Sequence, residues 1–264
     1  MRWAELLREA VWPRRVICLC CGRPSRGGRL CGRCDEALGA LRIAGPVCPI
    51  CGHPLTEGAC AFCDGTGVAE LRAVWTHRDE ARQLVLALKH GAVADAAQVL
   101  ADGMADLART LRLPPDTVVT WPTMPAGRRL ERGIDHGELL AEAVGERLSL
   151  PVRRLLTRSD SVAVQTQVGM GRQERLTRLQ EAFGCEETLR DPVLLVDDVL
   201  TTSATATVCV ERLLNAGAAS VTVVTATQAE RVNHRNEKEV REDDLEKAAD
   251  GAADGDAAAE RLAG

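Results

Sequence analysis

The chain has 264 residues, 45% hydrophobic but only 2% aromatic, with 11 cysteines and a formal net charge of -5. It is long enough to bury a full core with appendages, and no stretch approaches the ~18 uninterrupted apolar residues of a membrane span, so a soluble cytoplasmic protein is expected. The acidity is local: Gln228 to Gly264 carries 6 Lys/Arg against 11 Asp/Glu, which accounts for the -5 and leaves 27 charges of each sign in residues 1–227.

Met1 to Ala10 reads as a short amphipathic helix, with Trp3, Leu6, Leu7 and Ala10 at helical spacing. Nine of the eleven cysteines then fall before residue 64, eight of them as four C-x2-C pairs: Cys18/Cys21, Cys31/Cys34, Cys48/Cys51 and Cys60/Cys63. Each pair offers two thiolates to tetrahedral zinc, so consecutive pairs make two four-cysteine sites, structural in role. A disulfide framework is the rival, but Met1 to Trp12 carries Arg and Glu and lacks the apolar run of a secretory signal. Cys20 is a surplus thiol able to replace Cys21, and His53 is close enough to compete as a ligand, although four cysteines already satisfy that site. Cys185 and Cys209 read as small buried residues. Glycines and prolines around the cysteines suit tight turns held by metal, and Asp35 to Leu41 reads as a brief helix between the two sites. Arg14 to Cys34 also holds six arginines and no carboxylate, a patch able to attract a nucleic-acid backbone or simply to be solvated.

Leu71 to His77 is a strand candidate, and Asp79 to Lys89 places apolar residues at 81, 84, 85 and 88, a helical stripe ended by Gly91. A second helix is expected over Asp95 to Leu111, a strand over Thr117 to Trp121, a helix over Gly137 to Leu148 and a strand near Val152 to Thr157. Arg158 to Arg178 lacks periodicity and reads as a mobile loop followed by a short helix. Val193 to Val196 are four consecutive apolar residues, the pattern of a strand covered on both faces in a parallel sheet. Helix from about Ala204 to Asn215, a left-handed cap at Gly217 and a strand over Ser220 to Thr227 complete a strand-loop-helix-strand unit. Beyond Thr227 the Ala, Asp and Glu residues lack a hydrophobic face and read as a disordered acidic tail.

Ligands of parallel sheets sit beyond the carboxyl ends of strands. There Asp197 and Asp198 offer acceptors for vicinal ribose hydroxyls, and Thr201, Thr202, Ser203, Ala204 and Thr205 present hydroxyls and backbone N–H groups to a phosphate at a helix N-terminus. These residues resemble the PRPP-binding motif of type I phosphoribosyltransferases, with Ser203 where that motif has glycine. Together with the cysteine pairs and with Val119, Pro122, Pro125, Arg128, Arg132, Gly133, Ile134, Asp135 and His136, the order resembles the bacterial ComF family, phosphoribosyltransferase-like proteins associated with competence for DNA uptake. The likeness runs over about residues 16–228, and Ile134, Asp135 and His136 depart from the family's Phe-Asn-Gln.

The resemblance implies an α/β fold: a type I phosphoribosyltransferase-like parallel sheet flanked by helices (65–228), preceded by a zinc-ribbon-like module (1–64) and followed by the acidic tail (229–264). It implies that Asp197 and Asp198 hold the ribose hydroxyls of PRPP, that residues 201–205 wrap its 5'-phosphate, and that Pro125, Ala126, Arg128 and Arg132 face the pyrophosphate, with Mg2+ bridging pyrophosphate and ribose oxygens. Arg158, Arg172 and Arg175 would close over the substrate, with Gln165 or Gln167 shielding it from water. DNA or DNA-processing proteins are the implied partners, and the acceptor is not encoded in any recognisable pocket motif. A non-catalytic PRPP sensor and a zinc-module nucleic-acid-binding adaptor are the alternatives.

Overall fold

The computed structural model describes residues 16–25, 28–55, 60, 70–90, 93–159, 180–201 and 203–230. The expected N-terminal helix, Cys63, Thr202, most of the expected mobile loop with Gln165, Gln167, Arg172 and Arg175, and the acidic tail lie outside them. Met1–Glu230 forms one compact unit and Arg231–Gly264 a second. Among the described residues no helix is long and apolar enough to cross a membrane.

The centre is a four-stranded sheet of β3 (Glu70–Thr76), β4 (Val118–Thr120), β7 (Val193–Leu200) and β8 (Val221–Gln228), in the order β3-β8-β7-β4. Every pairing is parallel, with Val193 opposite Val221 and Val118. The run Val193 to Val196 is fully buried because both faces are covered. Side chains alternate along the strand. Leu194 and Val196 enter one core with α2 (Asp79–His90), α3 (Val93–Thr110) and α5 (His136–Leu148). Val193 and Leu195 enter another with α6 (Ala204–Asn215) and Phe183.

The stripe expected on α2 is the one it buries: Ala81, Leu84, Val85 and Leu88. On α3 the stripe is mostly small, with Ala97, Ala101 and Ala105 between Leu100 and Met104. A Cβ at Gly103 would overlap the Trp75 ring, so that glycine admits the bulkiest side chain of β3.

Two expectations need correction. The strand placed near Val152 to Thr157 is split: Val152 only bridges Val119, and β5 (Thr157–Arg158) pairs antiparallel with β6 (Phe183–Gly184). Exposed Arg153 and Arg154 followed by buried Leu155 and Leu156 break the alternation a strand needs. The connection from Pro122 to His136, read as a plain join, contains the helix α4 (Ala126–Arg132), closed by left-handed Gly133.

The cysteine module is docked on this sheet. It contains the hairpin β1 (Val16–Ile17) and β2 (Pro24–Ser25) and the helix α1 (Gly32–Ala40). Leu41 to Ile43 then lies antiparallel along β3, with Ile43 N–H donating to Val74 O (2.9 Å) and Thr76 N–H to Leu41 O (3.0 Å). The module thereby covers a strand edge that would otherwise be open.

Candidate functional site

The site grows from the carboxyl end of β7. Because side chains alternate there, adjacent Asp197 and Asp198 leave the strand on opposite faces. Asp198 follows Leu194 and Val196 to the side of α2 and α5. Its Oδ2 lies 2.9 Å from Lys89 Nζ at the end of α2 and 3.6 Å from His136 Nε2 at the start of α5. Asp197 follows Leu195 to the α6 side, within electrostatic reach of the Arg158 guanidinium, and its Oδ1 accepts the Asp198 N–H at 2.8 Å.

Asp198 is therefore held by one close cation and a histidine, while Asp197 has no ion pair of its own among the described residues. Burial, and next the Asp198 charge, push the Asp197 carboxyl up to about 7; the Asp198 N–H and the charges of Lys89 and Arg158 only partly offset this. A carboxyl raised by folding contributes its full stability below its unfolded value and loses it as pH rises through its folded value. Asp197→Asn keeps the oxygen that accepts the Asp198 N–H and removes the charge. It is expected to be more stable than wild type by about 1 kcal/mol or more at pH 8, with the gap closing towards pH 4, as read by urea unfolding at both pH values.

The segment after β7 turns directly into α6. Thr201 is exposed, and Ala204 and Thr205 open the helix half-buried. Ser203 is the N-cap, left-handed at φ 63°, and its Oγ is buried with no hydrogen-bond partner. Both observations explain why the motif prefers glycine here: a side chain in this region costs about 1–2 kcal/mol, and the hydroxyl is unsatisfied. Ser203→Gly is expected to raise stability by about 1 kcal/mol after allowing for the freer unfolded chain, measured as a shifted urea midpoint at unchanged m-value.

After β4, Pro125 caps α4, Ala126 opens it, and Arg128 is exposed. Arg129 is taken by Glu138 at 3.0 Å. Arg132 ends the helix, its side chain outside what is described. Arg158 lies over the Phe183 ring (4.8 Å), and burial, then Arg128, lowers its pKa while Cys209 and Asp197 act the other way. Arg128, Arg158 and Asp197 thus share one electrostatic neighbourhood.

Sequence reasoning missed three contributors. Asp135 is the buried N-cap of α5: Oδ1 accepts the N–H of Gly137 (3.0 Å) and Glu138 (3.3 Å), and Oδ2 lies 3.4 Å from both Trp121 Nε1 and Met124 N. The pattern Asp135-x-x-Glu138 was a legible capping signal. His77 follows the carboxyl end of β3, its Nδ1 2.8 Å from Thr227 Oγ1, a place the strand-end rule marks. The Lys89–Asp198 pair had no local signal.

In the module, the sulfurs of Cys18, Cys21, Cys31 and Cys34 converge within 4.8 Å, as do those of Cys48, Cys51 and Cys60. No disulfide joins the described cysteines. The Cys21–Cys31 separation of 3.8 Å matches the edge of a tetrahedron with Zn–S bonds of about 2.3 Å. Burial raises the Cys18 thiol, but N–H donors of Cys21, Cys31 and Cys20 outweigh it and bring the group to about 6. The donor set fits structural zinc at both clusters. Cys20 does not substitute for Cys21: its Sγ points to Glu80 O (3.6 Å), and burial, first, and the neighbouring cysteine and Glu80 charges push it up to about 12.

Residues 7–69 match the double zinc ribbon domain family. No curated protein matches the chain. Among solved structures, the chain is similar to the glutamine phosphoribosylpyrophosphate (PRPP) amidotransferase from B. subtilis complexed with ADP and GMP, at 20% identity over 50% of this chain and 27% of that one, with a TM-score of 0.35. It is also similar to the allosteric regulatory enzyme of purine biosynthesis (19% identity, 50% and 26% coverage, TM-score 0.34) and to adenine phosphoribosyltransferase from Leishmania tarentolae (15%, 51% and 71%, 0.31). The match spans about a quarter of the length of the first two of these structures.

Proposed function

We propose that the protein binds PRPP with Mg2+ as a phosphoribosyltransferase-type protein, at the carboxyl end of β7. One observation carries the reading: two adjacent carboxylates stand near the carboxyl end of a central parallel strand, and past Leu200 the chain turns into a helix N-terminus whose Ser203 hydroxyl is buried and without a hydrogen-bond partner among the described residues. Asp197 and Asp198 accept the ribose hydroxyls. The Ser203 hydroxyl and the first-turn N–H groups of α6, flanked by Thr201, Thr202 and Thr205, donate to the 5'-phosphate. Pro125, Ala126, Arg128 and Arg132 of the α4 segment, with Arg158, face the pyrophosphate. Two adjacent carboxylates beside a pyrophosphate-bearing sugar suit a hard cation with few protein ligands, and Mg2+ would supply charge neutralisation of the leaving pyrophosphate. The chain's own part is to fix C1 of the ribose between these groups and to stabilise the charge that develops as pyrophosphate departs.

Calorimetric titration with PRPP, with and without Mg2+, tests this. Saturable Mg2+-dependent binding is expected, weakened at least tenfold in Asp197→Asn/Asp198→Asn, which corresponds to about 1.4 kcal/mol. Equal affinity in the double variant would remove the reading.

A PRPP sensor without catalysis is the second reading, favoured by strained Ser203 in the phosphate segment; pyrophosphate release with any acceptor argues against it. The link to competence and DNA rests on the family resemblance. Within the arginine patch Arg29 is already paired with Asp95 at 2.8 Å, while Arg23 and Arg33 are exposed. Among the described arginines of the patch, a direct DNA contact would run through Arg23 and Arg33 and weaken steeply with salt.

A further inference from the structure

The second cysteine cluster touches the sugar site through one side chain. Gln228, the last residue of β8, is 4% exposed; its Nε2 donates to Cys51 O (3.1 Å) and lies 2.9 Å from His53 Nδ1. Cys51 and His53 belong to the turn that presents Cys48 and Cys51, closed by Gly52 N–H to Cys48 O (2.9 Å) and Cys48 N–H to His53 O (2.8 Å). Gly52 is left-handed at φ 71°, and a Cβ there would come within 2.9 Å of Leu71 Cδ2, so the turn sits hard against β3. Leu71 N–H donates to Pro49 O at 2.9 Å from the same side.

The main chain of Gln228 belongs to the opposite partner. It pairs with Leu200, two residues beyond Asp198, and its carbonyl accepts the His77 N–H at 2.7 Å. The preceding hydroxyl, Thr227 Oγ1, donates to Asp198 O at 3.1 Å. Its single proton is spent there, so His77 Nδ1, 2.8 Å away, is the donor to Thr227. A continuous set of hydrogen bonds thus joins the cysteine turn to the carboxyl end of β7.

We propose that Gln228 is a positioning residue that couples metal occupancy of the Cys48–Cys51–Cys60 cluster to the geometry of the Asp197–Asp198 strand end. The inference rests on the PRPP reading above. Its physical basis is the cost of stranding a buried amide. When the cysteine turn is metal-loaded, Cys51 O accepts one N–H of Gln228 and His53 Nδ1, in the tautomer protonated at Nε2, accepts the other; when the turn loosens, a 4%-exposed amide loses them and β8 must shift to recover partners. That shift moves Thr227 and Leu200 together. Coupling of this kind is reciprocal, so PRPP binding must in turn hold zinc at the second cluster more firmly.

The test follows zinc release to a chelator from the full-length metal-loaded protein, with and without PRPP and Mg2+. Cys48→Ser identifies the phase that belongs to the second cluster, and the Cys18–Cys34 cluster is the internal control. PRPP is expected to slow the second-cluster phase by about fivefold or more and to leave the control phase unchanged. Gln228→Leu, and Gln228→Glu, which keeps the size but cannot donate, are expected to abolish the slowing. PRPP binding with no effect on release, or the same slowing in both variants, overturns the coupling and leaves the function intact. Absence of PRPP binding in wild type sinks the functional reading instead. Amide hydrogen exchange over residues 193–201 then decides the coupling: faster exchange on emptying the second cluster in wild type, but not in the variants, supports it, and unchanged exchange in wild type overturns it.

Discussion

Removal of zinc is expected to unfold the cysteine module and to lower the thermal midpoint of the entire Met1–Glu230 unit by about 10 °C or more. The module has little apolar core of its own: Leu38 and Leu41 are its large buried aliphatics among the described residues, and both pack into the core of the sheet domain. Its turns are held by sulfurs gathered around a point, and a structural zinc site contributes roughly 10–16 kcal/mol of binding free energy at pH 7. That is comparable with the whole stability of a domain, about 5–15 kcal/mol. The effect cannot stay local. Leu41 and Ile43 exchange backbone hydrogen bonds with β3, Pro49 caps Leu71, and Gln228 holds the cysteine turn. Their loss reopens the β3 edge and strands polar groups at several points, so a loss of about 4 kcal/mol in the sheet domain is the conservative expectation, and a unit of this size shifts by about 2–4 °C per kcal/mol. Circular dichroism melts of metal-loaded and chelated protein, with metal content measured on each sample, give the answer. A chelated protein that melts at the same temperature would mean that the module is a passenger on the sheet.

The sheet domain was legible wherever a single face or a covered strand was written in the residues. Val193 to Val196 could only be doubly covered, and the stripe at 81, 84, 85 and 88 could only face a core; both appear as expected. Gly217 likewise follows α6 at φ 103°, where its missing Cβ clears Leu189 O. The helix α4 was not legible because Ala126–Arg132 buries almost nothing. It carries Gly127, Arg128, Arg129 and Arg132, and Leu130 is 86% exposed, so no stripe distinguishes it from a loop. The two cysteine clusters were legible from spacing alone, because metal ligation needs fixed short intervals. Their docking was not, since it runs through backbone pairing at residues 41–43 and through the amide of Gln228, neither of which leaves a periodic trace.

The site divides in the same way. Two carboxylates before a hydroxyl-rich turn are the sequence signal on which the proposed sugar-phosphate site rests, and alternation along β7 already dictates that the two leave on opposite faces. What each meets there depends on long-range packing. Lys89 reaches Asp198 because the last turn of α2 lies beside the carboxyl half of β7, and His136 arrives because Asp135 starts α5 beside Trp121. The two aspartates, neighbours in sequence, therefore differ in physical state: one is clamped by a cation, and the other is pushed towards neutrality.

The clamp predicts an asymmetry between its partners. Asp198 has a side-chain exposure of 9% and Lys89 one of 30%. Lys89→Met leaves a buried carboxylate with only the more distant His136 nearby, and breaking a buried pair by removing one partner costs about 3–5 kcal/mol. Partial exposure of the lysine admits some water and counter-ion, which reduces the expected loss to about 2–3 kcal/mol. Asp198→Asn strands less: the ammonium swings into solvent on its flexible stem, and the amide retains an oxygen acceptor, so a loss of about 1 kcal/mol is expected. The double variant Lys89→Met/Asp198→Asn should lie close to Asp198→Asn alone, giving a coupling of about 2–3 kcal/mol in a double-mutant cycle read by urea unfolding at pH 8. Equal losses in the two single variants, or strict additivity in the double, would mean that Asp198 is hydrated and that Lys89 does not hold it. The ordering also bears on binding. If Asp198 takes the ribose hydroxyls as proposed, a carboxylate already fixed by Lys89 meets them without first being ordered, so Lys89→Met should weaken PRPP binding even at low temperature, where the variant is fully folded.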